Sequence, residues 1–264
     1  MLDRIRTKIF ADGADLDGIV ALAREPHIDG FTTNPTLMWK AGLTDYEEFG
    51  RRILDEVDAL PISFEVFADD AEEMRRQAER IATWGDNVYV KIPVSNTRGE
   101  SMAALAGALS REGIKVNVTA LFTPRQVAEI AGAVAGGAPS YLSVFAGRIA
   151  DAGVDPVPIM REALSLMAVA PRAELIWASP RELLNLVQAD AIGCHIITMT
   201  HDLLAKLPAL GKDLEQFSLE TVRMFHDDAL QAGYELLATR WSSAGPGSSA
   251  ATWCGGCSSA TAGA

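Results

Sequence analysis

Short runs of β-branched and aromatic residues alternate with stretches whose apolar positions recur at helical spacing, from residue 8 to about residue 208. This alternation is typical of repeated βα units around a parallel sheet. The predicted strands are Lys8–Gly13, Gly30–Asn34, Ile62–Ala68, Val88–Val94, Lys115–Leu121, Tyr141–Gly147, Glu174–Ser179 and Ile192–Met199. The predicted helices cover residues 15–24, 45–59, 70–84, 99–111, 124–135, 156–168, 180–188 and 200–207.

The number of repeats decides between two α/β architectures. Eight strands, each followed by a helix, predict a closed (β/α)8 TIM barrel. An open doubly wound sheet is the alternative, but that fold normally carries a glycine-rich phosphate loop after its first strand. The segment ADGADLDG after the first predicted strand does not match the G-x-G-x-x-G pattern. We therefore predict the barrel.

Two further segments follow the repeats. Apolar residues recur at helical spacing over Asp213–Leu237, which predicts an additional C-terminal helix. Residues 242–264 are rich in Gly, Ser and Ala without periodicity, so we predict a flexible tail there and a single domain over residues 1–241. The long helix and the Trp and Phe content leave room for a subunit interface, and we expect a homo-oligomer.

Composition narrows the class of protein. The formal net charge of −12 opposes long-range attraction to nucleic acid and to anionic membranes, and we expect neither as a partner. The chain contains no run near the roughly 18 apolar residues of a membrane span, and its start lacks the apolar core of a signal peptide. We expect a cytoplasmic enzyme.

Cysteines and histidines give little support for a metal site. Cys254 and Cys257 form a C-x-x-C pair in the tail, but the second half of a zinc site is missing, and a disulfide framework is not indicated. Metal-dependent catalysis has four histidines formally available, but without paired carboxylates at ligand spacing. These are His27, His195, His201 and His226. We expect no metal and no organic cofactor.

Lys91 is the first candidate catalytic residue. The fourth strand reads V-Y-V-K-I-P-V, which places Lys91 inside an apolar run. Such a lysine either extends its amine to solvent, pairs with a carboxylate, or reacts. Burial disfavours the ammonium form and leaves an amine that attacks a carbonyl to form a Schiff base. We favour Lys91 as the nucleophile.

Carboxylates and small polar residues stand near the carboxyl ends of other strands, where barrel active sites form. Asp12 and Glu65 are candidate proton carriers, although Asp12 also suits a turn or cap and Glu65 a structural pair. In strand two, Thr33 and Asn34 suit hydroxyl recognition or merely a turn. Strand five places Asn117 and Thr119 on one face, where Asn117 suits a substrate hydroxyl and Thr119 a water.

Strands six and seven end in F-A-G-R-I and W-A-S-P-R. Arginine side chains match phosphate geometry, and barrels often bind phosphate near their last strands. The sequence therefore indicates an anion site formed by Arg148, Ser179 and Arg181. The alternative for each arginine is an ordinary surface position.

Five motifs in this order resemble the transaldolase family over residues 8–208: TTNP, VKIPV, NVTALFT, FAGRI and WASPR. The resemblance implies a Schiff base on Lys91, acid/base roles for Asp12 and Glu65, and a catalytic water held by Thr119 beside Glu65. By the same resemblance, Asn34 and Asn117 bind substrate hydroxyls, and Arg148, Ser179 and Arg181 hold the substrate phosphate.

The family also contains fructose-6-phosphate aldolases, which have Gln in place of Glu65 and Tyr in place of Phe145. A Tyr hydroxyl helps to protonate the enamine and release dihydroxyacetone, whereas Phe leaves the enamine to wait for an aldehyde acceptor. The resemblance thus implies a transaldolase acting on sugar phosphates, as in the pentose phosphate pathway. The alternatives are a simple aldolase, a transaldolase for an unusual sugar, since Pro180 replaces the usual Phe, and a non-catalytic sugar-phosphate-binding barrel.

Overall fold

The computed structural model describes residues 2–13, 15–33, 36, 38, 42 and 45–234. Eight parallel strands form a closed barrel in chain order, because β1 pairs with both β2 and β8. The strands are β1 (Lys8–Asp12), β2 (Gly30–Thr32), β3 (Ile62–Glu65), β4 (Val88–Pro93), β5 (Val116–Leu121), β6 (Ser140–Val144), β7 (Ala173–Trp177) and β8 (Ile196–Thr200). The predicted (β/α)8 fold is confirmed.

The described helices connect these strands. They are α1 (Leu16–Leu22), α2 (Tyr46–Glu56), α3 (Ala71–Ala82), α4 (Ala103–Arg111), α5 (Pro124–Val134), α6 (Ala146–Asp151), α7 (Pro156–Leu166), α8 (Leu184–Ala191) and α9 (His201–Leu204). Polar side chains fix several starts: Asp45 caps α2, Asp70 caps α3, and Thr123 forms a capping box before α5. Each caps a backbone N–H that has no partner within its helix.

Several boundaries differ from the sequence prediction, and two of them show the reason. Strand β8 begins at Ile196 rather than at Ile192, because α8 continues to Ala191 and Gly193, with φ of +74°, ends the helical turn. The predicted sixth strand stops at Val144, and the short helix α6 follows it directly. Both differences reflect local turn geometry, which apolar periodicity does not encode.

The interior of the barrel is layered. Side chains of a strand alternate between its two faces, so Tyr89 and Lys91 of β4 both point inward, as do Phe10 and Asp12 of β1. Near the amino ends of the strands, Tyr89 stacks on Tyr141 with ring centroids 3.9 Å apart, and Phe10 meets Tyr141 edge-on. This aromatic layer closes the barrel below the level of Lys91.

The remaining described α-helix belongs to a second unit that begins at Lys212, whereas the barrel unit ends at Gly211. Helix α10 (Leu214–Ala232) is capped by Asp213 and ends at Gly233, which has a left-handed φ of +67°. The predicted C-terminal helix is therefore confirmed. The predicted tail over residues 242–264 lies outside the described residues. Among the described residues, no helix has the length and apolar character needed to cross a membrane.

Candidate active site

A cavity of about 350 Å³ lies at the carboxyl ends of the barrel strands. Active sites of this fold form at that end. The sequence-predicted residues that line the cavity are Asp12, Glu65, Lys91, Thr119, Phe145, Arg148, Ser179 and Arg181. Residues from strands far apart in the chain thus meet in one space.

Lys91 and Glu65 form an ion pair at the bottom of this cavity. The two residues are register partners on β4 and β3, which places their side chains next to each other. Lys91 Nζ lies 3.3 Å from Glu65 Oε2 and donates to the Thr33 carbonyl oxygen at 2.9 Å. The side chains are only 8% and 17% exposed. The Lys91 amine and the Glu65 carboxylate are therefore close enough to exchange a proton at a largely buried position.

Asp12 faces the cavity instead of capping a helix. The N-cap of α1 is Asp15, whose side chain accepts from the Gly18 backbone N–H. Asp12 Oδ1 accepts a hydrogen bond from Thr32 Oγ1 at 2.8 Å, and Thr32 Oγ1 lies 2.6 Å from Thr198 Oγ1. Because the Thr32 hydrogen goes to Asp12, Thr198 is the donor to Thr32. This chain of hydroxyls holds the Asp12 carboxylate in place.

Thr119 stands at an irregularity in β5. The β5–β6 register shifts between Val118 and Leu121, and Ala120 has φ of +60°, which is rare for a residue with a side chain. Thr119 Oγ1 is buried and has no hydrogen-bond partner among the described residues. A buried hydroxyl needs a partner, and this one borders the cavity. A water or a substrate oxygen there would satisfy it.

Asn117 and Thr33 lie just beneath the cavity surface. Asn117 is completely buried, accepts from Ser143 Oγ at 2.7 Å and donates to Ser63 Oγ at 2.9 Å. Thr33 is also completely buried and its hydroxyl donates to the Ser63 carbonyl oxygen. Their side chains support the cavity floor, and neither is among the cavity-lining residues. Asn34 lies outside the described residues.

The cavity is also bordered by residues that were not among the predicted site residues, including Thr32, Ser143 and Thr198. Thr32 and Ser143 share the inward face with their strand neighbours, so the two-residue alternation alone contained the necessary signal. Thr198 was harder to find, since its significance depends on its contact with Thr32 across the barrel. Hydroxyl side chains inside an otherwise apolar barrel indicate a polar site.

Arg148, Ser179 and Arg181 line one side of the cavity. The Arg148 guanidinium lies over the Phe145 ring, 5.2 Å from its centroid, and Arg181 pairs with Asp151 through an Nε–Oδ1 contact of 3.1 Å. Ser179 has φ of +58°, a conformation that few non-glycine residues adopt. Two guanidinium groups beside a serine hydroxyl suit a phosphate group.

Close backbone packing shapes this side of the site. A Cβ atom at Gly147 would lie 1.6 Å from the Ser179 carbonyl oxygen. Only glycine at this position lets α6 approach the loop after β7 so closely. The packing brings Arg148 of α6 next to Ser179. No group of three or more His, Cys, Asp or Glu side chains in the described part of the chain has the arrangement of a metal site.

Fold and site together define a (β/α)8-barrel enzyme with a buried lysine–carboxylate pair under an arginine-lined cavity. The family model described as Transaldolase/Fructose-6-phosphate aldolase matches residues 9–237. The chain belongs to this family. The resemblance inferred from the five strand-end motifs is confirmed.

Two similar proteins carry names that agree with this family. The chain is 38% identical over 203 residues to a "Probable transaldolase" of Streptococcus equi subsp. equi (strain 4047), covering 76% of this chain and 89% of the relative. A "Probable transaldolase" of Streptococcus pyogenes serotype M1 is 39% identical over 205 residues, with the same coverage. The crystal structure of 2,3-dimethylmalate lyase superposes with a TM-score of 0.50 at 15% identity, covering 92% of this chain and 89% of that one. That similarity concerns the fold alone.

Proposed function

We propose that this protein is a transaldolase that moves a dihydroxyacetone unit from a ketose phosphate to an aldose phosphate through a Schiff base on Lys91. The observation that carries the proposal is the buried Lys91 amine, 3.3 Å from the Glu65 carboxylate, at the bottom of a cavity bordered by Arg148 and Arg181. A buried amine beside a proton carrier and below an anion site suits attack on the carbonyl of a phosphorylated sugar.

The reaction starts when Lys91 has passed its proton to the adjacent Glu65 and its amine attacks the ketose C2 carbonyl. Glu65, adjacent to the nitrogen, acts as the acid/base group when the carbinolamine loses water and becomes the Schiff base. A catalytic water held at Thr119 Oγ1 assists this proton transfer. Asp12, oriented by Thr32, takes the proton of the C4 hydroxyl, so the C3–C4 bond breaks and an aldose leaves. The remaining enamine adds to an acceptor aldose phosphate, and hydrolysis releases the new ketose. These steps need no metal or organic cofactor.

We propose that the other polar residues of the site bind the phosphate and the hydroxyls of the sugar. We assign the phosphate to Arg148, Arg181 and Ser179, which converge on one side of the cavity. Asn34 is assigned to sugar hydroxyls by family resemblance, whereas Asn117 and Thr33 act from beneath the floor through Ser143 and Ser63. Thr32 and Ser143 then become additional candidates for direct contact with the sugar.

Phe145 favours transfer over simple cleavage. Its ring lines the cavity and has no hydroxyl to protonate the enamine. The carbon fragment therefore stays on Lys91 until an aldehyde arrives. Product formation with and without an aldose phosphate acceptor separates this reaction from that of an aldolase: the aldolase alternative requires cleavage of the ketose phosphate without any acceptor.

The covalent intermediate gives the first test. We expect borohydride treatment with fructose 6-phosphate to leave a reduced three-carbon adduct on the native chain, measured by intact-protein mass spectrometry. Lys91→Ala removes the amine and should give no adduct, and added aldose phosphate should discharge the native adduct before reduction. If several ketose phosphates bind to the folded native protein and none gives an adduct, the covalent mechanism is wrong and the binding-only barrel replaces it.

We further propose that the enzyme works in the cytoplasm, in sugar metabolism of the pentose phosphate type, and as a homo-oligomer. The sugar-phosphate substrates and the family support the metabolic assignment. The oligomer is supported by the apolar side chains of α10 that are exposed in the single chain.

A further inference from the structure

The hydrogen-bond ladder between β2 and β3 changes partners where it reaches the active site. Phe31 N–H donates to the Pro61 carbonyl at 2.8 Å, and Thr33 N–H donates to the Ser63 carbonyl at 3.2 Å. Because bonds in a parallel ladder are evenly spaced, the next one would run from Glu65 N–H to the Thr33 carbonyl. Instead, Glu65 N–H donates to the Tyr46 hydroxyl at 2.7 Å.

The Thr33 carbonyl oxygen is used by the candidate nucleophile. It accepts the hydrogen bond from Lys91 Nζ at 2.9 Å. Since Glu65 N–H is held by Tyr46, this carbonyl does not have to serve the sheet. The Lys91 amine and the Glu65 N–H thus have different acceptors: Lys91 donates to the Thr33 carbonyl, and Glu65 donates to the Tyr46 hydroxyl.

Tyr46 is itself held firmly. It is the first residue of α2, directly after the N-cap Asp45, and its ring meets those of Phe64, Phe67 and Trp84 edge-on at 4.6 to 6.1 Å. Such contacts are favourable arrangements for aromatic rings. The hydroxyl oxygen is therefore placed by three neighbouring rings.

The Tyr46 hydroxyl is buried near the Thr33 side chain. Burial is the main cause that raises the pKa of Tyr46 far above its ordinary value, and the nearby Glu65 charge raises it further. The hydroxyl thus stays protonated and accepts the Glu65 N–H.

We propose that Tyr46 is a positioning residue for the Lys91–Glu65 pair: its hydroxyl accepts the Glu65 N–H and so leaves the Thr33 carbonyl free to hold Lys91 Nζ beside the Glu65 carboxylate. The inference rests on the proposed Schiff-base function. Without the hydroxyl, Glu65 N–H needs a new acceptor, and the Thr33 carbonyl is the one that a regular ladder supplies. Lys91 would then compete for that oxygen.

Tyr46→Phe tests this role because it removes only the hydroxyl and keeps the ring among its aromatic neighbours. We expect kcat for transfer to fall about 10- to 100-fold, as for a modest misplacement of reacting groups. KM for the sugar phosphate should stay within about twofold, because the arginines that bind phosphate are untouched. The matched control is Tyr141→Phe, which removes a buried hydroxyl bonded to Tyr89 at the opposite end of the same barrel. Its kcat should equal that of the native enzyme.

A second measurement does not depend on sugar turnover. Reductive methylation with formaldehyde and cyanoborohydride, followed by peptide mass spectrometry, reports the reactivity of Lys91 in the folded protein. We expect the Lys91 methylation rate to rise about threefold or more in Tyr46→Phe and to be unchanged in Tyr141→Phe, because an amine that no longer donates to the Thr33 carbonyl is less constrained in its attack on formaldehyde.

The two measurements separate the two proposals. Unchanged kcat and unchanged Lys91 methylation in Tyr46→Phe would overturn the positioning role, as would an equal loss of kcat in Tyr141→Phe. Altered methylation in Tyr46→Phe, together with a native enzyme that traps no sugar, would support the positioning role and reject the transaldolase proposal.

Discussion

Thr119 shows how backbone geometry at one residue sets the position of a side chain. The adjoining Ala120 has a positive φ, and the β5–β6 register shifts around the pair. Bulges occur next to active sites because they re-aim a side chain. At Thr119 the result is a buried hydroxyl at the cavity edge without a partner among the described residues. Such a hydroxyl is a cost to stability that a structural role does not explain.

Thr119→Val should therefore separate activity from stability. The valine has nearly the same shape, so we expect the free energy of unfolding to change by less than about 1 kcal/mol. Loss of the water-holding hydroxyl should lower kcat at least about tenfold. Activity assays and urea unfolding measure the two effects.

Thr7→Val is the control for this experiment. Thr7 is buried at the other end of the barrel and its hydroxyl donates to the Cys194 carbonyl at 2.9 Å. Breaking that bond should reduce stability by about 1 kcal/mol and leave kcat unchanged. The same pattern of effects in both variants would contradict the role assigned to Thr119.

At the scale of elements, the sequence predicted the eight strands and eight residues near their ends that line the cavity, because strand ends carry polar residues in an otherwise apolar pattern. It did not reveal Tyr46, which lies on α2 and reaches Glu65 only through tertiary packing. Nor did it reveal Thr198, whose partner Thr32 is 166 residues away in the chain. Contacts between elements depend on register and helix docking, which periodicity within one element does not contain.

Helix α6 packs closely against the loop after β7 at Gly147, and an added side-chain atom there should disturb both elements. Gly147→Ala would push a Cβ atom against the Ser179 carbonyl oxygen, a backbone atom that cannot rotate away. We expect a loss of about 1–3 kcal/mol in unfolding free energy. A several-fold higher KM for sugar phosphates should accompany it, since the displaced elements carry Ser179 and Arg148.

Gly132→Ala is the matched substitution, in α5, where an added Cβ meets no atom within 4 Å. Relief of the glycine penalty in a helix should stabilise this variant by up to about 1 kcal/mol, with KM unchanged. Urea unfolding curves and KM measurements on both variants give the comparison. If Gly147→Ala and Gly132→Ala change the unfolding free energy and KM equally, the predicted clash at Ser179 is wrong.

At the scale of the whole molecule, the unusual feature is the apolar surface of α10. Its large exposed apolar side chains are Leu214, Phe217, Leu219, Val222, Met224, Phe225 and Leu230. A run of such side chains along one helix indicates an interaction surface. We accordingly predict that α10 forms the subunit contact of the proposed homo-oligomer.

Substitution of two residues on neighbouring turns, Val222→Ser with Phe225→Ser, should dissociate the oligomer. Light scattering after gel filtration should show a native mass that is a multiple of 28.2 kDa and a smaller mass for the double variant. Val154→Ser with Val169→Ser changes two exposed apolar residues of the barrel unit and should leave the native mass unchanged. A native chain that runs as a monomer would refute the predicted oligomer.

The hydrogen bonds under the cavity join strands that are distant in the chain. Thr198 on β8 bonds Thr32 on β2, and Asn117 on β5 links Ser143 on β6 to Ser63 on β3. The complete chain of hydroxyls behind the Asp12 carboxylate therefore forms only when β8, the last strand of the barrel, has docked beside β1. On the proposed mechanism, a chain still emerging from the ribosome already carries Lys91, but the complete set of catalytic groups forms only when the barrel closes.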